Sequence, residues 1–166
     1  MNKRAGVLSY LNDRNIPYDL YEHPPVPTVE EALPYWKDID SAHCKNLFFR
    51  NHKGNRHFLV ILDHRRQLNI KDLEQKLKQG KISFASPKRM ERYLGLGAGS
   101  VSAFGIINDH ENHVHLFIDE GLQSSSCISF HPNENNATLV ISFASFLRFL
   151  ESSGNSFEFI ALYEDE

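Results

Sequence analysis

Two apolar segments set close together constrain this chain more than anything else in it. His43-Cys44-Lys45-Asn46-Leu47-Phe48-Phe49-Arg50 and His57-Phe58-Leu59-Val60-Ile61-Leu62-Asp63 are separated only by Asn51-His52-Lys53-Gly54-Asn55-Arg56. Glycine and asparagine supply the positive φ that a tight reversal needs, so the pair predicts a β-hairpin with a short polar loop. Residues 58–62 are apolar without a break, which suits a strand covered on both faces. The first strand carries Lys45 among residues that should be buried. A lysine there must snorkel, find a partner, or face a cleft. Only the last places it where chemistry happens.

The rest of the chain supplies elements to cover that hairpin. Val7, Leu8 and Leu11 are spaced for one face of a helix over 4–15, and 18–23 alternates like a strand. Pro24, Pro25 and Pro27 form a rigid, donor-poor segment. Thr28 with Glu31 is a capping box opening a helix that Pro34 should interrupt or kink, with Tyr35 and Trp36 over the core edge. Asn69 caps a helix over 70–79 that Gly80 stops. Residues 82–85 predict a short strand, and Ser86-Pro87 starts a helix ending at Gly95. Further strands are expected at 104–107, 114–119, 127–130 and 137–141, with a hairpin turn at Asp109-His110-Glu111-Asn112. Ser142 caps a last helix ended by Gly154, and a final strand over 157–162 precedes an acidic tail. The order predicts one α+β domain over 1–166: a mixed β-sheet surrounded by helices, its central strands the opening hairpin.

Net charge is −3, which alone argues against a polyanion partner. Its distribution argues otherwise. Between Lys45 and Arg92 thirteen Lys and Arg stand against four Asp and Glu, while the remainder carries five against seventeen. Such asymmetry marks a polyanion-binding face, or a solvated surface of alternating charge. Two cysteines give no disulfide framework, so a reducing cytoplasm is expected. The N-terminus leads into an amphipathic segment, predicting neither a leader peptide nor a membrane span.

Nine histidines raise the question of a metal, but neither HxxxH nor HExxH occurs. His113 and His115 share a strand face and could chelate, yet no metal is expected. His43 and Cys44 cannot act as a nucleophile pair, because adjacent strand residues point to opposite faces. Cys44 reads as a small core residue. The glycines of Gly95-Leu96-Gly97-Ala98-Gly99-Ser100 follow a helix and lack the dinucleotide spacing. No nucleophile elbow or P-loop is present. Lys45 is either a sheet-edge lysine or a cation at a cleft, suited to a phosphate or a developing oxyanion. Phe130-His131-Pro132-Asn133 with Asn136 and Thr138 is turn chemistry or a pocket wall opposite it. Gly105, inside a predicted strand, marks a bulge or a place where a ligand nears the backbone.

Taken in order, Glu22-His23-Pro24-Pro25, Thr28-Val29-Glu30-Glu31-Ala32, 43–50, 82–87, Gly99-Ser100-Val101, 104–109 and Phe130-His131-Pro132 resemble the YbaK/ProX family of aminoacyl-tRNA deacylases, in its ProX-like branch. That family is related to the editing insertion domain of bacterial prolyl-tRNA synthetase and hydrolyses mischarged tRNA. The resemblance implies trans-editing, chiefly of alanine attached to proline tRNA. It implies catalytic roles for Lys45, Gly105 and His131, with Lys45 gripping the 3′-terminal nucleotide and Gly105 offering backbone groups near the scissile carbonyl. It implies substrate contacts at His23, Val26, Thr28, Asn46 and Ser129, and RNA contacts at Lys45, Asn46, Arg50 and Lys81. No metal or other cofactor is implied. The expected partners are the tRNA acceptor end and a prolyl-tRNA synthetase, with no membrane. Val26-Pro27 departs from the larger apolar residue the family often carries there, which bears on the amino acid accepted. Rival readings of the same fold are a non-catalytic module binding tRNA or a synthetase, and a hydrolase of another small acyl ester.

Overall fold

A computed structural model describes residues 3–67 and 69–163. Leu68 and the acidic tail Glu164-Asp165-Glu166 lie outside the described residues. The hairpin sits at the centre, as expected. Strand β2 (Ala42–Asn51) pairs antiparallel with β3 (His57–Asp63), in register from Cys44 opposite Asp63 to Arg50 opposite His57. On the far side β3 pairs parallel with β5 (Val114–Asp119), and β5 parallel with β8 (Phe157–Ile160).

The other edge of β2 is shared between two strands. Ala42 and His43 pair parallel with β6 (Cys127–Phe130), while Phe49, Arg50 and Asn51 pair antiparallel with β4 (Ile82–Phe84). Strand β6 continues antiparallel to β7 (Ala137–Ser142), and β7 to β1 (Asp19–Glu22). The mixed eight-stranded sheet thus runs β1-β7-β6-β2-β3-β5-β8 with β4 beside β2. Between β6 and β4, residues 44–48 of β2 have no strand in register on that edge. The sheet is split there.

The unbroken apolar run of β3 reflects burial on both sides. Leu59 and Ile61 join a core with Phe48, Phe104, Phe130, Phe146 and Phe149, closed by α1 (Lys3–Asp13) and α5 (Phe143–Ser153). Phe58, Val60 and Leu62 face the opposite way, onto Phe49, Phe117 and the Leu73 and Leu77 stripe of α3 (Ile70–Leu77). The predicted caps form: the side chains of Thr28, Asn69, Ser86 and Ser142 accept the backbone N–H of Glu31, Asp72, Arg89 and Ser145. They open α2 (Val29–Trp36), α3, α4 (Pro87–Leu94) and α5. Each satisfies an N-terminal donor the helix itself cannot.

Four expectations change. Helix α2 runs through Pro34 to Trp36, because in eight residues a late proline forfeits a single backbone bond, to the exposed first turn. Helix α3 ends earlier than Gly80, with Lys78 left-handed at φ 57°. Strand β8 stops at Ile160; Leu162 beyond it gives its N–H to the Asp119 carboxylate. Residues 104–107 are not a strand but part of a 3₁₀ turn, Ala103–Asn108. A short, wholly buried apolar run carries no period to separate the two. Local hydrogen bonds decide it: Gly105 N–H to Ser102 O at 2.9 Å, and Asn108 Nδ2 to the Leu94 carbonyl at 2.8 Å, closing the end of α4. The turn at 109–112 therefore links this 3₁₀ segment to β5 and makes no hairpin.

At the closed end of the hairpin His57 is buried between Phe48 and Tyr93. Arg89 donates to its Nε2 at 3.0 Å, so Nδ1 carries the proton and gives it to His113 Nε2 at 2.9 Å. Burial, reinforced by His113 and the Arg89, Arg50 and Arg92 guanidinium groups, pushes its pKa down to about 4. A histidine held neutral by the fold takes up a proton on unfolding once the pH drops below its ordinary value near 6.5. The urea midpoint should therefore fall as pH is lowered from about 6.5 to about 4, and fall less steeply in His57→Gln. A midpoint equally pH-dependent in both proteins would contradict this assignment.

Candidate active site

Where β2 loses its neighbour, a cavity of about 150 Å³ opens. Its floor is Cys44, Lys45 and Asn46 from the split edge. The departing strands supply Ser129, Phe130 and His131 on one side and Ala137 and Thr138 on the next. The proline-rich segment and α2 contribute His23, Val26, Pro27, Thr28, Ala32 and Trp36, and the loop before the 3₁₀ turn adds Gly99 and Val101. Gly99 is left-handed at φ 82°, and a Cβ there would lie 3.4 Å from the Pro27 carbonyl oxygen, so glycine lets the two loops meet.

Two hydrogen-bond chains fix the walls, and their directions follow from what each group can donate. His23 Nδ1 faces the Pro24 carbonyl at 2.9 Å, so it carries the proton and Nε2 accepts. Thr138 Oγ1 therefore donates to His23 Nε2 at 2.9 Å and accepts from Trp36 Nε1 at 3.0 Å. His43 Nε2 faces the Ile39 carbonyl at 3.2 Å, which leaves Nδ1 to accept from the Ser129 hydroxyl. The Trp36 indole lies flat on His43, ring centroids 4.5 Å apart at 2°. One tryptophan thus joins α2 to both β6 and β7.

The loop over the cavity is pinned in the same way. Asn46 Oδ1 accepts the Ala103 N–H at 3.0 Å, which identifies the oxygen and leaves Nδ2 without a partner among the described residues. Ser102 Oγ donates to the His131 carbonyl at 2.8 Å, and Asn133 Nδ2 to Phe104 O at 3.2 Å. His131 is held neutral, its pKa pushed down to about 4 by burial against the weaker opposing pull of the Val101 backbone. Its buried Nδ1 has no partner among the described residues. A buried polar atom without a partner is uncommon, and this one belongs to a residue of the cavity lining.

Lys45 lines the cavity half-buried, its ammonium donating to the Arg66 carbonyl. Burial lowers its pKa, with Asp63 and Glu30 pulling the other way. Cys44 is both a core residue and part of the lining; burial, then the Asp63 charge, pushes its thiol pKa up, so it is no nucleophile. Among the described residues, no carboxylate lines the cavity.

The structure brings together Lys45, His131, His23, Val26, Thr28, Asn46 and Ser129. It does not bring three others. Gly105 is not among the lining residues; it is buried in the 3₁₀ turn, where a Cβ would come within 2.8 Å of Leu96 and 3.1 Å of Leu94, so its missing side chain serves packing there. Arg50 lies five residues along β2 from Lys45, roughly 16 Å away, and donates to the Asn51 and His52 carbonyls. Lys81 is exposed just before β4 at that same distant end. Sequence reasoning placed Trp36 at the core edge and overlooked Val101, Asn135 and Ala137. The only signal for Trp36 was a lone tryptophan following a capped helix start.

The description "aminoacyl-tRNA editing domain" fits residues 23–149 of the chain. Over 164 residues the chain is 38% identical to the prolyl-tRNA editing protein ProX of Acetoanaerobium sticklandii, covering 98% of this chain and 99% of that protein. It is 33% identical to prolyl-tRNA synthetase associated domain-containing protein 1 of Xenopus laevis, over 92% of each chain. Among solved structures it superposes on a candidate trans-editing enzyme for prolyl tRNA synthetase with TM-score 0.71 at 18% identity, covering 97% of this chain and 98% of that one; this likeness concerns the fold.

Thr138 is the joint of the Trp36 wall. Thr138→Val should leave Trp36 Nε1 and His23 Nε2 unpaired and destabilise the protein by about 1–3 kcal/mol. Trp36 is the sole tryptophan, so the emission maximum should shift with it. An unchanged melting temperature and spectrum would show that the chain does not hold the indole.

Proposed function

The chain belongs to the aminoacyl-tRNA editing domain family, and we propose that it clears wrongly attached amino acids from proline tRNA in trans, with alanine as the amino acid removed. The family sets the enzyme class, an aminoacyl-tRNA deacylase. The observation that supports the finer reading is one small cavity joining a cation, an unpaired amide nitrogen and an unpaired neutral imidazole to apolar walls.

In this reading the aminoacyl group enters between Val26, Pro27, Ala32, Val101, Phe130 and Ala137, where a methyl side chain is accommodated and a larger ring meets the Trp36 wall. Discrimination by size suits an editing enzyme, because a site built for proline gains only about 1–3 kcal/mol per methylene against a smaller residue. Lys45 exchanges the Arg66 carbonyl for the 3′-terminal nucleotide and orients the ester. Water adds to the ester carbonyl carbon, and the charge that develops on its oxygen is met by fixed donors such as Asn46 Nδ2. The tetrahedral adduct collapses with cleavage of the bond to the ribose oxygen, which leaves protonated, releasing free amino acid and intact tRNA. With no carboxylate lining the cavity among the described residues and His23 Nε2 already accepting from Thr138, the neighbouring ribose hydroxyl is the group that assists the water. His131 Nδ1 contacts the aminoacyl moiety.

The proposal extends over residues 1–166 as a single editing unit. Its substrate places it in the cytoplasm beside a prolyl-tRNA synthetase. None of the described helices is long and apolar enough to cross a membrane.

Purified protein should release alanine from alanyl-proline tRNA and leave prolyl-proline tRNA and alanyl-alanine tRNA intact. Lys45→Ala should lower that rate by at least about a hundredfold, the scale of one lost transition-state contact, with unchanged circular dichroism. Full activity in a folded Lys45→Ala would remove the lysine from the mechanism. Binding of tRNA without release of any amino acid would favour the non-catalytic module.

A further inference from the structure

The edge of β2 leaving the cavity ends at an unusual residue. Phe84 on the three-residue strand β4 is 60% exposed, the most exposed large apolar side chain among the described residues. It lies opposite Phe49, which is buried, and the two rings stack with centroids 4.6 Å apart at 29°. One face of the Phe84 ring is therefore held by the core edge and the other faces solvent. Proteins ordinarily blunt short edge strands with charge rather than with a bare phenyl ring.

Strand parity puts Lys45, Leu47 and Phe49 on one face of β2, and Phe84 shares it through its register with Phe49. Phe49 lies four positions along β2 from Lys45, a path of roughly 13 Å along an edge that carries no paired strand over 44–48. Lys78, Lys81 and Lys88 lie near Phe84 in sequence, all exposed, and no carboxylate pairs with them among the described residues. The Glu74 carboxylate accepts the Ile82 N–H at 3.0 Å. These three lysines, of the thirteen basic residues of the middle segment, thus stand within six positions of this ring in sequence.

We propose that Phe84 is a stacking platform for a base of the single-stranded 3′ end of tRNA as it leaves the cavity, with the surrounding lysines meeting its phosphates. This rests on the cavity being an aminoacyl-tRNA site. Every base has a π-face, so an aromatic ring flanked by cations binds single-stranded nucleic acid without reading its sequence. A protein partner is the weaker reading, because interface centres are depleted of lysine.

The test is equilibrium binding of uncharged proline tRNA, intact or lacking its single-stranded 3′ end, so the outcome does not depend on hydrolysis. Wild type should bind the intact RNA more tightly. Phe84→Ala should bind intact RNA roughly five- to hundredfold more weakly, bind the truncated RNA as wild type does, and melt at the same temperature. Phe84→Trp should keep the affinity and Phe84→Leu should lose it. Equal affinity of Phe84→Ala and wild type for intact tRNA overturns the proposal. A loss that persists with truncated RNA also overturns it, placing the ring against the stem or in the fold. Failure of the deacylation reading alone would show as no release of amino acid with this binding pattern intact.

Discussion

The candidate site depends on β2 having two different neighbours along one edge. A strand at the centre of a sheet normally satisfies its backbone on both sides. Here β6 serves only Ala42 and His43, and β4 only Phe49, Arg50 and Asn51. The intervening residues keep their place because the other edge is fully paired to β3. The gap is thus held open by rigid structure, and its floor consists of residues 44–46. A cavity on strand backbone is positioned more precisely than one made from loops alone.

The walls are polar where they must be fixed and apolar where a ligand would pack. Thr138 serves as both donor and acceptor, Ser129 turns its hydroxyl to His43, and Asn46 gives its oxygen to Ala103. Each of these groups is partly used by the fold, which sets its orientation. His131 Nδ1 and Asn46 Nδ2 are left without a partner among the described residues. Burial keeps His131 uncharged at neutral pH, and Lys45 brings its ammonium to the lining. That separation of charge from hydrogen bonding suits an ester whose phosphates lie on one side and whose acyl group lies on the other.

Much of this was legible locally. The capping residues Thr28, Asn69, Ser86 and Ser142 announce their helices because the side chain and the donor it satisfies lie within three residues. Lys45 stood out because a charged residue in an apolar strand needs an explanation. The 3₁₀ turn was not legible, since 104–107 is apolar on every side and its conformation is set by Ser102, Leu94 and Asn108. The packing role of Gly105 was hidden for the same reason: its missing side chain makes room for Leu94 and Leu96, which lie nine or more positions earlier in the chain.

The sequence by itself determined the hairpin, its burial on both faces, the helix starts and the segregation of basic residues into the middle of the chain. These depend on side-chain period, caps and charge, which are properties of neighbours in sequence. Tertiary structure alone decided that β6 and β4 share one edge, that Trp36 closes the cavity, and that Arg50 and Lys81 stand at the far end of the strand from Lys45. Those facts rest on pairings across tens of residues, such as His43 with Ser129 and Trp36 with Thr138, and no local pattern encodes a partner at that distance.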